Sequence, residues 1–522
     1  YTRNTVTSPP VAVSFGNGTT GWSTFGNVFF TPRNVDLMGL EFELPENGGS
    51  IYYRNGNDII NPRWSVKNAD RDQITNRVFG TAQLTYDISD NLNLTYRAGL
   101  DFYNERNISS SNKNGVNFNE AIFGSLNTWD NNVRIWDHYV SIGGNYDLTN
   151  DQKLGLTFTA GATSRSRDYD RQGVASSGQI VFGVKRHFNY TNQTPIQFST
   201  YQNIIGVFAE ASFDWDNYLF VTLSGRNDWV SNLPTENNNQ FYPSASVSFL
   251  PTAAFDGLRS DNGLNYLKLR AGIGTSAGFP GGFPTVDTVN QATQVNGGAV
   301  GGSTGIVTNG ISNFKANPDL KPELLSEFEV GFDARLWDNR INVSLSYFDR
   351  TTKDLIVFKP LAPSSGFTQT QDNIGKVEGD GWEIDLGVDI FRSDSDGFNW
   401  NGRVNFTKSE QIVTEQDDDQ IIYSGFTDPG NAAIRGEQLG VFVGSRIMRD
   451  AAGNFVVNGA GNYVFENQVT LDDGRSITPI IGNPNPDYVV NFISSMSYKN
   501  FNLGFQISHT AGGDVYSATT ST

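Results

Sequence analysis

The feature that most constrains this chain is how its period-two segments are joined. Leu92, Leu94, Tyr96, Ala98, Leu100 and Phe102 alternate with Asn93, Thr95, Arg97, Gly99 and Asp101. Successive side chains of a strand point to opposite faces, so this pattern predicts one apolar and one polar face. About fourteen such segments occur, most of ~9–13 residues. They lie near 78–86, 92–102, 136–146, 153–163, 205–214, 218–228, 242–250, 264–275, 323–335, 340–350, 379–390, 398–407, 486–498 and 501–510. Short connections (87–91, 147–152, 215–217, 336–339, 391–397, 499–500) alternate with long ones (103–135, 164–204, 229–241, 276–322, 351–378, 408–485), and 251–263 is intermediate. A meander with short turns at one end and long loops at the other predicts an all-β, antiparallel, up-and-down transmembrane β-barrel. The strand length agrees, because a tilted strand needs ~9–11 residues to cross a bilayer.

Composition removes the competing classes. With 13% aromatic and 18% charged residues, the chain is too ring-rich for disorder. Its 55 glycines show no triplet period. Zero cysteine excludes disulfide frameworks, thiolate metal sites and cysteine nucleophiles. A net charge of −18 argues against nucleic acid as a partner. No run approaches 18 apolar residues, so no transmembrane helix is predicted. The mean hydropathy of −0.38 is ordinary, as expected when polar and apolar residues alternate.

On this reading Leu92, Leu94, Leu100, Leu154 and Leu156 face lipid, and Asn93, Thr95, Arg97, Asp101, Thr157 and Thr159 face the lumen. Rings beside the short turns (Tyr86, Tyr146, Phe213, Trp215, Tyr218, Trp337, Phe391, Phe398, Tyr498 and Phe501) predict an interfacial girdle. Residues 1–77 are expected to be a long extracellular loop region, 78–510 the barrel portion, and 511–522 the start of a further loop.

The motifs that resemble chemistry lack its context. Gly16–Gly21 satisfies G-x-G-x-x-G, but no helix former follows to hold a pyrophosphate. Gly274–Gly278 satisfies G-x-S-x-G, yet Phe279-Pro280-Gly281-Gly282 forbids the helix a nucleophile elbow needs. His138, His187 and His509 are isolated, so no catalytic triad, metal site or cofactor is predicted, and the chain is not expected to be an enzyme. Asp417-Asp418-Asp419 could hold a hard cation, but a solvated acidic loop is favoured. Trp64, Trp129 and Trp229 are candidate loop rings for stacking on a ligand, with packing inside the loop equally open.

Several stretches resemble the barrel of SusC/RagA-type TonB-dependent outer-membrane transporters. They are Arg226-Asn227-Asp228, Tyr242-Pro243-Ser244-Ala245-Ser246, Leu267-Lys268-Leu269-Arg270, Asn317-Pro318-Asp319-Leu320-Lys321-Pro322-Glu323, Tyr347-Phe348-Asp349-Arg350, Asn373-Ile374-Gly375, Gly381-Trp382-Glu383, Gly482-Asn483-Pro484-Asn485-Pro486-Asp487 and Tyr498-Lys499-Asn500-Phe501. They follow the family's order over about residues 60–515. The resemblance implies a barrel of about 22 strands. The chain is then expected to be a partial barrel, a fragment without the family's plug domain. It also implies an outer-membrane location in a Gram-negative cell, a SusD-like surface lipoprotein as lid, and energy from the TonB complex through the plug. The implied cargo is a large nutrient, glycan or oligopeptide. The alternative is a soluble, secreted β-rich adhesin or glycan-binding protein.

Overall fold

The computed structural model describes residues 1–8, 11–12, 22–24, 27–28, 31–52, 60–115, 123–294, 306–373, 375–393, 397–416, 418–425 and 429–516. The Gly16–Gly21 motif and Asp417 lie outside these residues.

One antiparallel sheet of fifteen strands dominates. Its strands are β1 (Thr2–Thr7), β2 (Ala69–Ser89), β3 (Leu92–Ser111), β4 (Ser125–Asp147), β5 (Leu154–Gln179), β6 (Tyr190–Trp215), β7 (Leu219–Val230) and β8 (Asn239–Phe249). They continue as β9 (Leu264–Gly278), β10 (Glu323–Leu336), β11 (Ile341–Lys353), β12 (Lys376–Phe391), β13 (Phe398–Glu415), β14 (Pro486–Tyr498) and β15 (Phe501–Gly512). Each strand pairs with its neighbours in chain order, which is the up-and-down meander expected. All fourteen predicted strands are present.

Two expectations are corrected. Residues 1–77 are not all loop, because β1 pairs with Asp72–Arg77 and β2 already begins at Ala69. A six-residue strand with Val6 as its one aliphatic side chain carries no period to detect. Six strands (β2–β6 and β13) also run well beyond their alternating part, always at the long-loop end. β5 continues through Ser164–Gln179 and β6 starts at Tyr190. Both faces are polar there, so no alternation marks the strand. Backbone pairing carries it, with Arg167 opposite Gln202 and Arg171 opposite Phe198, and Tyr169 and Arg171 both donate to Asn131 Oδ1.

The short turns need few residues because their backbones match the twist of the paired strands. Asp216 and Asn217 both take positive φ (49° and 59°) between β6 and β7, as a type I′ turn requires. The intermediate connection holds the short helical turn Pro251–Ala254.

Hydrophobic cores sit in or beside the connections. Helix α1 (Pro62–Asn68) buries Trp64 against Ile60, with Phe42 and Phe182 flanking. Between β13 and β14, Ile421–Gly425, Gly430–Ala433, Val441–Val443 and Ile480–Gly482 form a four-stranded sheet. Ala432, Ile434, Val441, Val443 and Ile477 close a core there.

Candidate functional site

The register sorts the side chains of the large sheet into two faces. Leu94 lies opposite Tyr86 and Ile142, Ile142 opposite Ala160, and Ala160 opposite Ala209. Further round, Leu269, Phe332, Leu345, Ile384, Phe406 and Val490 form one cross-strand row. Large apolar side chains on this face stay exposed: Leu84 73%, Ile273 54% and Leu503 59%. Leu92, Leu100, Leu154 and Leu156 share it, by pairing with Gly144, Trp136, Trp215 and Tyr146. A soluble sandwich would bury such a face against a second sheet. No second sheet covers it among the described residues.

Rings mark both limits of this apolar face. Tyr146, Phe391 and Tyr498 lie at the short-turn end. Trp136, Trp382 and Tyr488 lie nine or ten residues further along the same strands. Phe391 stacks on Trp400, Tyr347 leans on Trp382 at 4.8 Å, and Tyr488 stacks on Phe406. The upper ring band was missed at the sequence level, because its members are interior to their strands.

The opposite face is polar and paired. Asn93, Thr95, Arg97, Asp101, Thr157 and Thr159 all lie on it, linked through Gly143, Ser141, Tyr139, Ile135 and Asn145. Asp101 takes a two-point grip from Arg77 at 2.6 and 2.7 Å. Arg97 covers the Tyr139 ring at 4.8 Å, and Tyr139 stacks on Phe208. Arg226 reaches Asp228 (2.7 Å) and donates to Thr163 Oγ1 (2.8 Å). Arg270 pairs with Glu329 and Asp333, Arg350 with Glu327, and Arg403 with Asp385.

Glycines let these arginines lie against the wall. A Cβ on Gly206 would sit 2.3 Å from an Arg226 nitrogen, and one on Gly331 would sit 2.9 Å from Arg270. Apart from Arg226–Asp228, these ion pairs join residues 18 or more positions apart, so no local motif reveals them.

The predicted ligand rings do not converge. Trp64 is fully buried and its Nε1 donates to the Gly48 carbonyl at 2.8 Å, so it is a packing residue with no face to offer a ligand. Trp229 lies in β7 on the apolar face, opposite Ile205. Trp129 lies in the extended part of β4 and is half-buried. Gly274–Gly278 is continuous strand, which removes the nucleophile elbow. His138 accepts or donates to the Tyr96 hydroxyl at 2.9 Å, and His187 bridges Thr128 and Ser176 at 2.8 Å each. Burial holds the His187 pKa below its ordinary value. No group of three potential metal ligands occurs among the described residues.

The long-loop ends of β2–β6 are tied by buried amides. Asn112 donates to Asn68 Oδ1 (3.0 Å) and accepts from Gln179 (3.0 Å), while Asn189 holds the Val181 backbone through both its amide groups.

Comparison with known proteins follows this geometry. Residues 11–522 match the family described as TonB dependent receptor-like, beta-barrel. TonB-dependent receptor P3 of Formosa agariphila is 28% identical over 67% of this chain and 37% of its own length. Receptor P26 of that organism is 24% identical over 89% of this chain and 48% of its own. The TonB-dependent receptor SusC of Bacteroides thetaiotaomicron is 24% identical over 61% of this chain and 32% of its own. Among solved structures, the RagAB peptide transporter superposes with a TM-score of 0.70 at 20% identity, over 88% of this chain and 50% of that one. The chain thus spans a third to a half of the relatives it matches. With the matched region covering nearly every residue, the chain belongs to the TonB-dependent receptor-like β-barrel family, and it is similar to SusC and to the RagAB transporter within it.

Proposed function

We propose that this chain forms the wall of an outer-membrane TonB-dependent transporter in a Gram-negative cell. The observation that carries this reading is the exposed apolar face bounded by two ring bands. Ten residues at ~3.3 Å each, tilted by ~40–45°, rise about 24 Å, close to the ~25 Å apolar band of such barrels. Aromatic rings favour the lipid–water boundary, so Tyr146 and Trp136 mark the two interfaces. Leu92, Leu94, Leu100, Leu154 and Leu156 then contact lipid, and Asn93, Thr95, Arg97, Asp101, Thr157 and Thr159 line the lumen. Among the described residues the outer edges of β1 and β15 have no partner strand, and they pair with further strands of a longer protein, since an exposed edge is a template for another strand.

The cargo is a large nutrient, glycan or oligopeptide, and the protein acts as a carrier with no chemistry of its own. A SusD-like lipoprotein covers the long loops, and a plug domain beyond this chain couples the barrel to TonB. The structural neighbour's description as a peptide transporter supports the general class.

The test is accessibility. Cysteine placed at Leu94 resists a water-soluble maleimide in intact outer membranes, whereas cysteine at Thr95 becomes labelled once the lumen is opened. Rapid labelling at Leu94 and extraction without detergent would overturn the reading.

A further inference from the structure

The polar face holds one groove of about 340 Å³, on β8, β9 and β10. Ser244, Ser246 and Ser276 supply hydroxyls to it, Gly272 and Gly274 form its floor, and Glu327 and Glu329 stand at one side. Its depth comes from the glycines. A Cβ on Gly272 or Gly274 would touch no atom closer than 3.4 Å, so a side chain would fit without clash and project into the space.

The two carboxylates are held in place. Arg350 takes Glu327 through Oε2, at 2.7 Å from its Nε. Arg270 and the Ser346 hydroxyl both donate to Glu329 Oε1, at 3.3 and 3.1 Å. Glu327 Oε1 and Glu329 Oε2 have no protein donor among the described residues. Each glutamate therefore offers one oriented oxygen while its charge is balanced by an arginine.

These parts discriminate between ligands. A lysine or arginine side chain gains little from carboxylates already paired, and it would face Arg270 and Arg350. An anion would meet two unpartnered carboxylate oxygens. A neutral polyol suits both groups, because its hydroxyls donate to the free oxygens and also exchange bonds with the serines. The volume admits about one or two sugar rings, at the lower end of the usual ~300–1,000 Å³ of a small-molecule pocket. We propose that this groove is a wall subsite for one or two pyranose rings of a neutral glycan. This rests on the reading that the polar face lines a lumen, and it selects neutral saccharide from the cargo classes above.

The experiment uses the full-length protein purified in detergent from outer membranes. Calorimetry measures binding of neutral hexasaccharides (α-glucan, β-glucan, mannan and galactan), with a uronic-acid hexasaccharide and a lysine-rich hexapeptide alongside. At least one neutral hexasaccharide is expected to bind saturably. Gly274→Val, which fills the floor, weakens it at least tenfold, and Glu327→Gln weakens it about tenfold, the scale of one hydrogen bond to a charged group. Val247→Ile, on the opposite face and outside the groove, changes it less than twofold. Heat-modifiable migration on a gel reports that each variant still forms a barrel. The subsite is overturned if all four neutral sugars fail to bind, if the acidic sugar or the peptide binds more tightly than the neutral sugars, or if Gly274→Val leaves binding intact. In each case the variants remain heat-modifiable and the barrel reading stands. Loss of heat-modifiability in the unmutated protein is the separate failure of that reading.

Discussion

The wall has two heights. Strands β2–β6 run for 20–26 residues, whereas β7 and β8 run for 12 and 11. A 26-residue strand is ~85 Å long at ~3.3 Å per residue, far more than a tilted crossing needs. The lower part of both regions obeys one rule, apolar on one face and polar on the other. Above it, β5 reads Ser164–Gln179 with polar residues on both faces and is held by pairing and by its top. The membrane-level pattern and the strand are therefore separate things. Alternation reports the solvent on each side, and strand length reports how far backbone partners continue.

If the tall region depends on its top, the largest effect is expected at Trp64. Replacing this fully buried ring with alanine should cost about 3–5 kcal/mol of local stability, by cavity formation and loss of the Gly48 bond. Hydrogen exchange should accelerate in the upper parts of β2 and β5 and remain unchanged in β7 and β8. Uniform acceleration would erase the distinction between the regions. Next comes the lower part. Leu94→Arg, on the apolar face, should cost ~2–4 kcal/mol if near the bilayer midplane, while Arg97→Leu on the other face is tolerated. Urea titration of folding into vesicles measures both, and equal costs would contradict the two faces.

A smaller effect is expected from Asn112→Ala. It strands the buried amides of Asn68 and Gln179 and should cost about 1–3 kcal/mol, seen as proteolytic nicking of the β3–β4 connection. The smallest effect concerns His187. Its folded pKa lies below the ordinary 6.5, so the unfolded connection binds the proton more readily. Stability contributed at neutral pH is then lost as pH falls through 6.5 toward the lowered value. Exchange at residues 180–189 should rise between pH 7.5 and 5, and His187→Gln should flatten that rise.

Much of this was legible in the sequence, for a physical reason. Each strand from Val78 onward announces its lower part because two different solvents act on its two faces. The short-turn ends agree within a few residues for the same reason. The upper parts of β2–β6 were silent because water touches both faces. β1 was silent because its pairing with Asp72–Arg77 is a tertiary event. Face membership of Leu94 and Arg97 followed from parity alone. The partners of the arginines did not, since Arg270 finds Glu329 only after β9 and β10 are in register. For Trp64 the sequence leaves display and packing open, because a tryptophan in a loop looks the same either way, and the structure buries it.

The position of the hydrophobic cores has a further consequence. The 416–485 connection closes its own core around Ile434, Val443 and Ile477, and α1 closes another around Trp64. The wall below is held by backbone pairing and needs neither. A second core joins Ile421 and Ala433 to Val377 of β12 and Val413 of β13, and Phe182 of the β5–β6 connection packs on Trp64, so a connection changes together with the wall residues and neighbouring connection it packs against. A wall of this kind can keep one architecture while its outer surface is rewritten, one packed group of connections at a time.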